Sequence, residues 1–263
     1  MRERDPKLIR SRENPRFKLL RQLATSTRER RKAQLALLDG VHLIAAYRAA
    51  GGVPEQLILR ESATANAEVA ALAAGVDAQT LLVLGDALFN EIAQVSTPTG
   101  IVALIRTPDP GPLPSAIEYC VMLENIQDAG NLGSILRSSA AAGMRTILLS
   151  QGCAFAWSSK VLRAGMGAHF SLDIFDNVDL AAATGRLSGR LVCTSGRARK
   201  SIFQADLRGP LAWVFGNEGA GVSAQLSALA AERLSIPMPG NTESLNVAAA
   251  AAICLFEQVR QRI

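Results

Sequence analysis

Asn131 and Arg137 are the first pair whose types and spacing suggest chemistry, in the run Gly130-Asn131-Leu132-Gly133-Ser134-Ile135-Leu136-Arg137. Arginine carries a planar, permanently charged fork that suits an RNA phosphate or a developing oxyanion. Asparagine offers a neutral donor and acceptor side by side. On a helix the two sit two turns minus one residue apart, which is read as placing both near one face. A plain alternative stays open, with Asn131 as an N-cap and Arg137 as a surface charge.

Two further stretches carry similar content. In Gly216-Asn217-Glu218-Gly219-Ala220-Gly221 the glycines allow close backbone approach to a ligand, and Glu218 is placed to orient neighbours. The spacing is not that of a dinucleotide loop, and no acidic residue closes a βαβ unit about 20 residues on. The third stretch runs Ile236-Pro-Met-Pro-Gly-Asn-Thr-Glu-Ser-Leu-Asn-Val247. Pro237 and Pro239 stop a short strand, and Gly240-Asn241 supplies a turn. Thr242 or Ser244 is then expected to cap a helix whose apolar stripe is Leu245, Ala249, Ala252, Phe256, Val259 and Ile263. Such a loop presents backbone amides and carbonyls to a ligand.

These stretches need elements to hold them. Tyr119–Leu123, Thr146–Leu149, Phe170–Phe175, Arg190–Thr194 and Leu211–Phe215 read as strands. Between them Asn131–Ala142, Ser158–Met166 and Leu180–Arg186 read as helices. Alternation of this kind predicts a parallel sheet, whose ligands sit beyond the carboxyl ends of its strands. Glu124-Asn125, Thr194-Ser195, Gly216-Asn217-Glu218 and Pro237–Ser244 all follow strands and can converge on one crevice. Upstream, Asn14-Pro15 opens a helix to about Ser26. Strands at 36–38, 56–59, 80–84 and 101–105 then alternate with helices at 41–50, 65–74 and 86–94, a smaller three-layer α/β unit. Four prolines and a glycine in Thr107-Pro-Asp-Pro-Gly-Pro-Leu-Pro114 mark the boundary. The expected organisation is a basic arm and first domain over 1–106, a linker over 107–116 and a second domain over 117–263.

Taken together and in order, Leu123–Gly143, Trp213–Ser223 and Ile236–Val247 resemble the signature motifs of the SpoU–TrmH family, ribose 2′-O-methyltransferases of the SPOUT superfamily. The resemblance covers roughly Ile117 to Ile263. It implies a SPOUT-type parallel sheet with a deep trefoil knot, which periodicity would not propose. It also implies S-adenosylmethionine as cofactor, a homodimer, and catalytic roles for Asn131, Arg137, Glu218, Ser244 and Asn246. Gly216, Ile236, Met238 and Leu245 would hold the adenosyl group, largely through backbone, with Thr194 or Ser195 nearby. One departure is Ala248, where the family often has serine. Leu38-Asp-Gly-Val-His-Leu43 and Thr99-Gly-Ile-Val-Ala103 more weakly resemble the family's L30e-like RNA-binding domain. In Lys160–Ala168, Arg163 would contact RNA by the same resemblance.

The charge distribution fits an RNA partner. Residues 1–32 hold twelve Lys or Arg against four acids, a balance of +8, while the rest of the chain carries −3. Arg16, on the cationic side of the first helix, and the run Arg28, Arg30, Arg31 and Lys32 are the expected contacts. A solvated face without function is the plain alternative. Arg197, in the loop Ser195–Lys200, faces either RNA at the crevice mouth or solvent. The four cysteines are widely spaced in apolar runs, which predicts buried free thiols and no metal site. With two histidines a Ser–His–Asp hydrolase is disfavoured. No apolar run reaches transmembrane length and the start lacks a signal-type segment, so a cytoplasmic protein without membrane contact is expected. Ribosomal RNA is the expected substrate, transfer RNA the alternative. A nicotinamide oxidoreductase lacks its fingerprint here. A non-catalytic RNA-binding protein would not account for the five catalytic candidates.

Overall fold

The computed structural model describes residues 7–263 except 218 and 241, so Glu218 and the first six residues of the basic arm lie outside the described residues. The chain forms two compact units: the described residues up to Pro108 together with Trp157–Arg163, and Asp109–Ala156 with Ala164–Ile263. The segment Trp157–Arg163, expected within the second domain, thus groups with the first unit.

The first unit begins with strand β1 (Lys7–Ile9), which pairs parallel to β4 and was not foreseen. Helix α1 (Pro15–Thr25) starts where the sequence places it, because the Asn14 side chain accepts from the Arg16 amide and Pro15 fills the first turn. A second short helix, α2 (Thr27–Ala33), takes up what looked like a mere charge run. Strand β2 (Leu35–Asp39), helix α3 (Val41–Ala49), strand β3 (Gln56–Arg60), helix α4 (Ala67–Ala73), strand β4 (Leu81–Leu84), helix α5 (Asp86–Ile92) and strand β5 (Ile101–Arg106) follow. The five strands lie in the order β1-β4-β3-β5-β2, with β5 antiparallel to both β3 and β2. Phe17, Leu20 and Leu23 of α1 and Leu88, Phe89 and Ile92 of α5 pack with Leu37, Ile58, Leu82 and Val102 in one core. Leu38, Leu57, Leu59 and Val83 are buried too, at alternate positions and therefore on the opposite face of the sheet.

Downstream of the spacer the elements are β6 (Tyr119–Leu123), α6 (Ala129–Ala141), β7 (Thr146–Leu149), α7 (Ser159–Gly165), β8 (Asp173–Phe175), α8 (Leu180–Ala183), β9 (Arg190–Thr194), β10 (Lys200–Ser201), β11 (Leu211–Phe215), α9 (Ala224–Leu229), β12 (Glu232–Ser235) and α10 (Val247–Arg262). The seven strands form a wholly parallel sheet in the order β10-β12-β9-β11-β6-β7-β8. β6 and β11, buried almost throughout, lie at its centre as apolar runs, the pattern of a parallel sheet covered on both faces.

Two expectations are corrected here. The first half of Phe170–Phe175 is not strand: Ala168–Ser171 makes a 3₁₀ turn after Gly167 at φ +87°, and β8 starts only at Asp173. The turn drives His169 inward, where its Nε2 lies 2.9 Å from the Ala156 carbonyl oxygen. Burial holds that imidazole down at about 4, so it is neutral near pH 7. The stripe Leu245, Ala249, Phe256 and Ile263 on α10 is exposed, and the helix buries Val247, Ala251, Cys254, Leu255 and Gln258 instead. Hydrophobic periodicity missed this because the core face carries a glutamine, whose Oε1 accepts from buried Trp213 Nε1 at 2.9 Å. All four cysteines are buried free thiols, pushed above their ordinary range by burial. Among the described residues no helix is long and apolar enough to cross a membrane.

Candidate active site

The parallel register sets the carboxyl ends of β9, β11 and β12 side by side. The chain leaving them builds one crevice, lined among others by Thr194, Ser195, Gly216, Asn217, Ile236, Met238, Ser244 and Leu245. All six residues assigned to the cofactor from sequence, Thr194, Ser195, Gly216, Ile236, Met238 and Leu245, are therefore on its wall. Gly221, Val222, Glu243, Val247 and Ala250 also line it and were not foreseen. Val247 and Ala250 sit about three residues apart on one face of α10, a signal that the misplaced stripe obscured. Glu124 and Asn125 do not line this crevice. They line a separate cleft.

The glycine loop is shaped by Asn217. Its Oδ1 accepts from the amides of Gly219 and Ala220, its carbonyl accepts from Gly221, and its Nδ2 donates to the Asn125 carbonyl at 3.1 Å. Such an asparagine-centred turn is a recognisable local device, yet Glu218 drew the attention in sequence. Gly216 is required by close approach: a Cβ there would come 2.1 Å from the Gly221 carbonyl oxygen. The Glu124 carboxylate accepts from the Ser223 amide at 2.7 Å and ties the far end of the loop to β6. Glu218 itself lies outside the described residues.

The first and third motifs meet directly. Asn246 Nδ2 donates to Asn131 Oδ1 at 2.9 Å, although the two are 115 positions apart. Asn246, not Thr242 or Ser244, caps α10, its Oδ1 accepting from the amides of Ala248 and Ala249. Asp128, not Asn131, caps α6, which frees the Asn131 side chain from the capping reading. Packing of α10 against α6 brings the pair together. Arg137 is exposed and makes no hydrogen bond or ion pair among the described residues. At 3.6 residues per turn it lies about 120° around α6 from Asn131, so the one-face expectation is corrected. Ser244 is exposed at the crevice.

The cations named from sequence divide into two groups. Arg16, Arg28, Lys32, Arg163 and Arg197 are exposed and Arg31 is half-buried. Arg30 is not a surface contact, which corrects that assignment. It is 5% exposed, and its guanidinium donates to the carbonyls of Leu23 and Ala24, the last turn of α1. Burial lowers its pKa from the usual arginine range. A charge run read by sequence alone cannot reveal that one member turns inward to close a helix end.

Comparison with known families decides the identity of this arrangement. The SpoU rRNA Methylase family matches residues 118–256, more than half of the chain. This protein belongs to that family. The MRM3-like substrate binding domain matches residues 14–103. Among relatives of this SpoU chain, an uncharacterized tRNA/rRNA methyltransferase of Synechocystis is 33% identical over 97% of this chain and 94% of its own. The 23S rRNA (guanosine(2553)-2′-O)-methyltransferase RlmP of Bacillus subtilis is 30% identical over 95% of this chain and 98% of its own. The AdoMet-bound rRNA methyltransferase from Sinorhizobium meliloti superposes with a TM-score of 0.83 at 27% identity, covering 98% of each chain. The SpoU match spans all three motifs, including the Asn131–Asn246 contact and the lined crevice.

Proposed function

We propose that this SpoU chain transfers a methyl group from S-adenosylmethionine to a ribose 2′-hydroxyl of ribosomal RNA. The observation that carries the reading is the crevice in which Thr194, Ser195, Gly216, Ile236, Met238 and Leu245 meet, beside the joined Asn131 and Asn246. Apolar Ile236, Met238 and Leu245 suit an adenine face, and the close approach at Gly216 leaves backbone groups bare for its polar edge. When bound, the cofactor supplies an electrophilic methyl group on sulfur. The chain's own part is alignment and charge. Holding the two reactants in register can contribute about 7–11 kcal/mol. Arg137 clamps the RNA phosphate and stabilises the oxygen as it loses its proton, since an arginine with a pKa above about 12 is a poor base. Ser244 orients the ribose hydroxyl, with Asn246 set by Asn131. Glu218 is assigned here by its motif alone. Titrating S-adenosylmethionine by calorimetry, then following methyl label into ribosomal RNA, tests the reading. No heat of binding would overturn it.

Under this reading residues 1–106 present the RNA through an L30e-like domain, 107–116 are a spacer, and 117–263 perform the transfer. The deep knot fits the strand order, because β11 enters between β6 and β9 after both are made. Arg16, Arg28, Arg31 and Lys32, with Arg163 and Arg197, supply phosphate contacts. Replacing Arg28 and Lys32 by alanine is expected to reduce the slope of log affinity against log salt by up to about 0.9 per lost contact on duplex RNA. Arg30→Ala should leave that slope unchanged and lower the melting temperature instead, since it strips two buried carbonyls of their donor. An unchanged slope in the double variant counts against the arm as an RNA contact.

A homodimer through α10 completes the proposal. Leu245, Phe256 and Ile263 are 38%, 48% and 100% exposed along one stripe, with Ala249 between them. Small and large apolar residues on an open face suit a second copy of the same helix. Light scattering at micromolar concentration should give twice the chain mass, and Phe256→Glu should give the single mass. A wild-type monomer would exclude this assembly.

A further inference from the structure

The separate cleft at the ends of β6 and β7 is not explained by cofactor binding or phosphate contact. Its polar lining comes from Glu124, Asn125, Gln151, Asp179 and Gln225, with no lysine or arginine among the lining residues. Leu180 and Leu226 supply an apolar floor. Gln151 and Gln225 are exposed and make no hydrogen bond among the described residues. Asn125 is held in a costly form: it has φ +56°, a left-handed conformation that non-glycine residues seldom take. Its amide donates to Ser150 Oγ at 2.9 Å, and its Nδ2 has no partner among the described residues. Gly152 leaves room for that side chain, because a Cβ there would come 1.9 Å from Asn125 Oδ1. The backbone on both sides is thus committed to presenting one carboxamide in the cleft.

Carboxylates without cations repel a phosphate. Carboxamides and carboxylates above an apolar floor suit the edge of a flat heterocycle with both donors and acceptors. The cleft is joined to the cofactor crevice by one bond, Asn217 Nδ2 to the Asn125 carbonyl, so the two share a wall. We propose that this cleft binds the edge of an unstacked RNA base within one nucleotide of the methylated ribose, and that it favours bases bearing an exocyclic amino group over uracil. The preference follows from acceptors: Glu124 and Asp179 each spend one carboxylate oxygen on a backbone amide, of Ser223 and Ala182, and keep the other for a donor. The inference rests on the RNA reading given above.

The test uses the full chain and nucleoside 5′-monophosphates as probes. Side-chain amide resonances of Gln151 and Gln225 are followed by nuclear magnetic resonance as AMP, GMP, CMP and UMP are added to millimolar concentration. The expected result is movement of both resonances with the three amino-bearing nucleotides and much less with UMP. A Gln151→Ala, Gln225→Ala double variant should bind those three roughly tenfold more weakly, the loss of up to two hydrogen bonds. Silence of both resonances, equal movement with UMP, or undiminished binding by the double variant overturns the proposal. S-adenosylmethionine titrated into the same samples reports separately: failure there sinks the crevice reading and leaves the base cleft standing.

Discussion

Arg137→Ala is expected to lower the turnover of methyl transfer by about 10²–10³, the effect of deleting one preorganised charge stabiliser, while S-adenosylmethionine affinity stays within about twofold. The separation follows from position. Arg137 is exposed on α6 and is not among the residues lining the crevice, so the cofactor should not register its loss. The group it serves is the RNA, whose phosphate and reacting oxygen carry negative charge. Arg137→Lys should recover only part of the rate, because an ammonium keeps the charge but loses the two-pronged geometry. Single-turnover rates with saturating cofactor and calorimetric affinities on the same preparations check both halves. Turnover within a few-fold of wild type would remove Arg137 from the mechanism.

The second large effect is expected at Asn246, which has two separable duties. Its Oδ1 caps α10 through the amides of Ala248 and Ala249, and its Nδ2 donates to Asn131. Alanine loses both. It should cost about 1 kcal/mol of stability for the cap and also reduce turnover. Aspartate keeps an acceptor for the cap yet cannot donate to Asn131, and it sets an anion against the Asn131 carbonyl oxygen. Asn246→Asp should therefore melt close to wild type but turn over about 10–100-fold more slowly, as a lost bond worth roughly 1–3 kcal/mol implies. Asn131→Ala should reproduce the slow turnover and add little to Asn246→Asp, since neighbours in one contact are not additive. Full activity in Asn246→Asp would reduce the pair to a structural clamp.

Much of the sheet was legible because its strands are buried on both faces. Tyr119–Leu123, Thr146–Leu149, Arg190–Thr194 and Leu211–Phe215 are read from apolar runs to the residue. Elements stabilised by anything else were not. β10 has two residues and α9 has six, too short for a period to register. The inward turn at His169 depends on Gly167 adopting a left-handed conformation and on a carbonyl far along the chain. On α10 the apolar stripe was found but assigned to the wrong side, because Gln258 reaches Trp213 and so belongs in the core.

The site divides in the same manner. Residues that follow strands could be gathered into a crevice by the general behaviour of parallel sheets, and Thr194, Ser195 and Gly216 do meet there. The link between Asn131 and Asn246 could not be seen, since no local spacing relates positions 115 apart. Family motifs named both residues. Only the fold shows that they touch. Arg30 is the opposite case, a cation whose surroundings, not its type, decide its role.

The most direct test of the central claim is to locate the methyl group. The full chain is incubated with methyl-labelled S-adenosylmethionine and, separately, with unmodified transcripts of large-subunit, small-subunit and transfer RNA. Alkaline hydrolysis follows, because a 2′-O-methylated ribose blocks cleavage at its own phosphodiester. The account predicts label at one alkali-resistant ribose in ribosomal RNA, lost in Arg137→Ala. Label on a base, on transfer RNA alone, or on none of the three would contradict it.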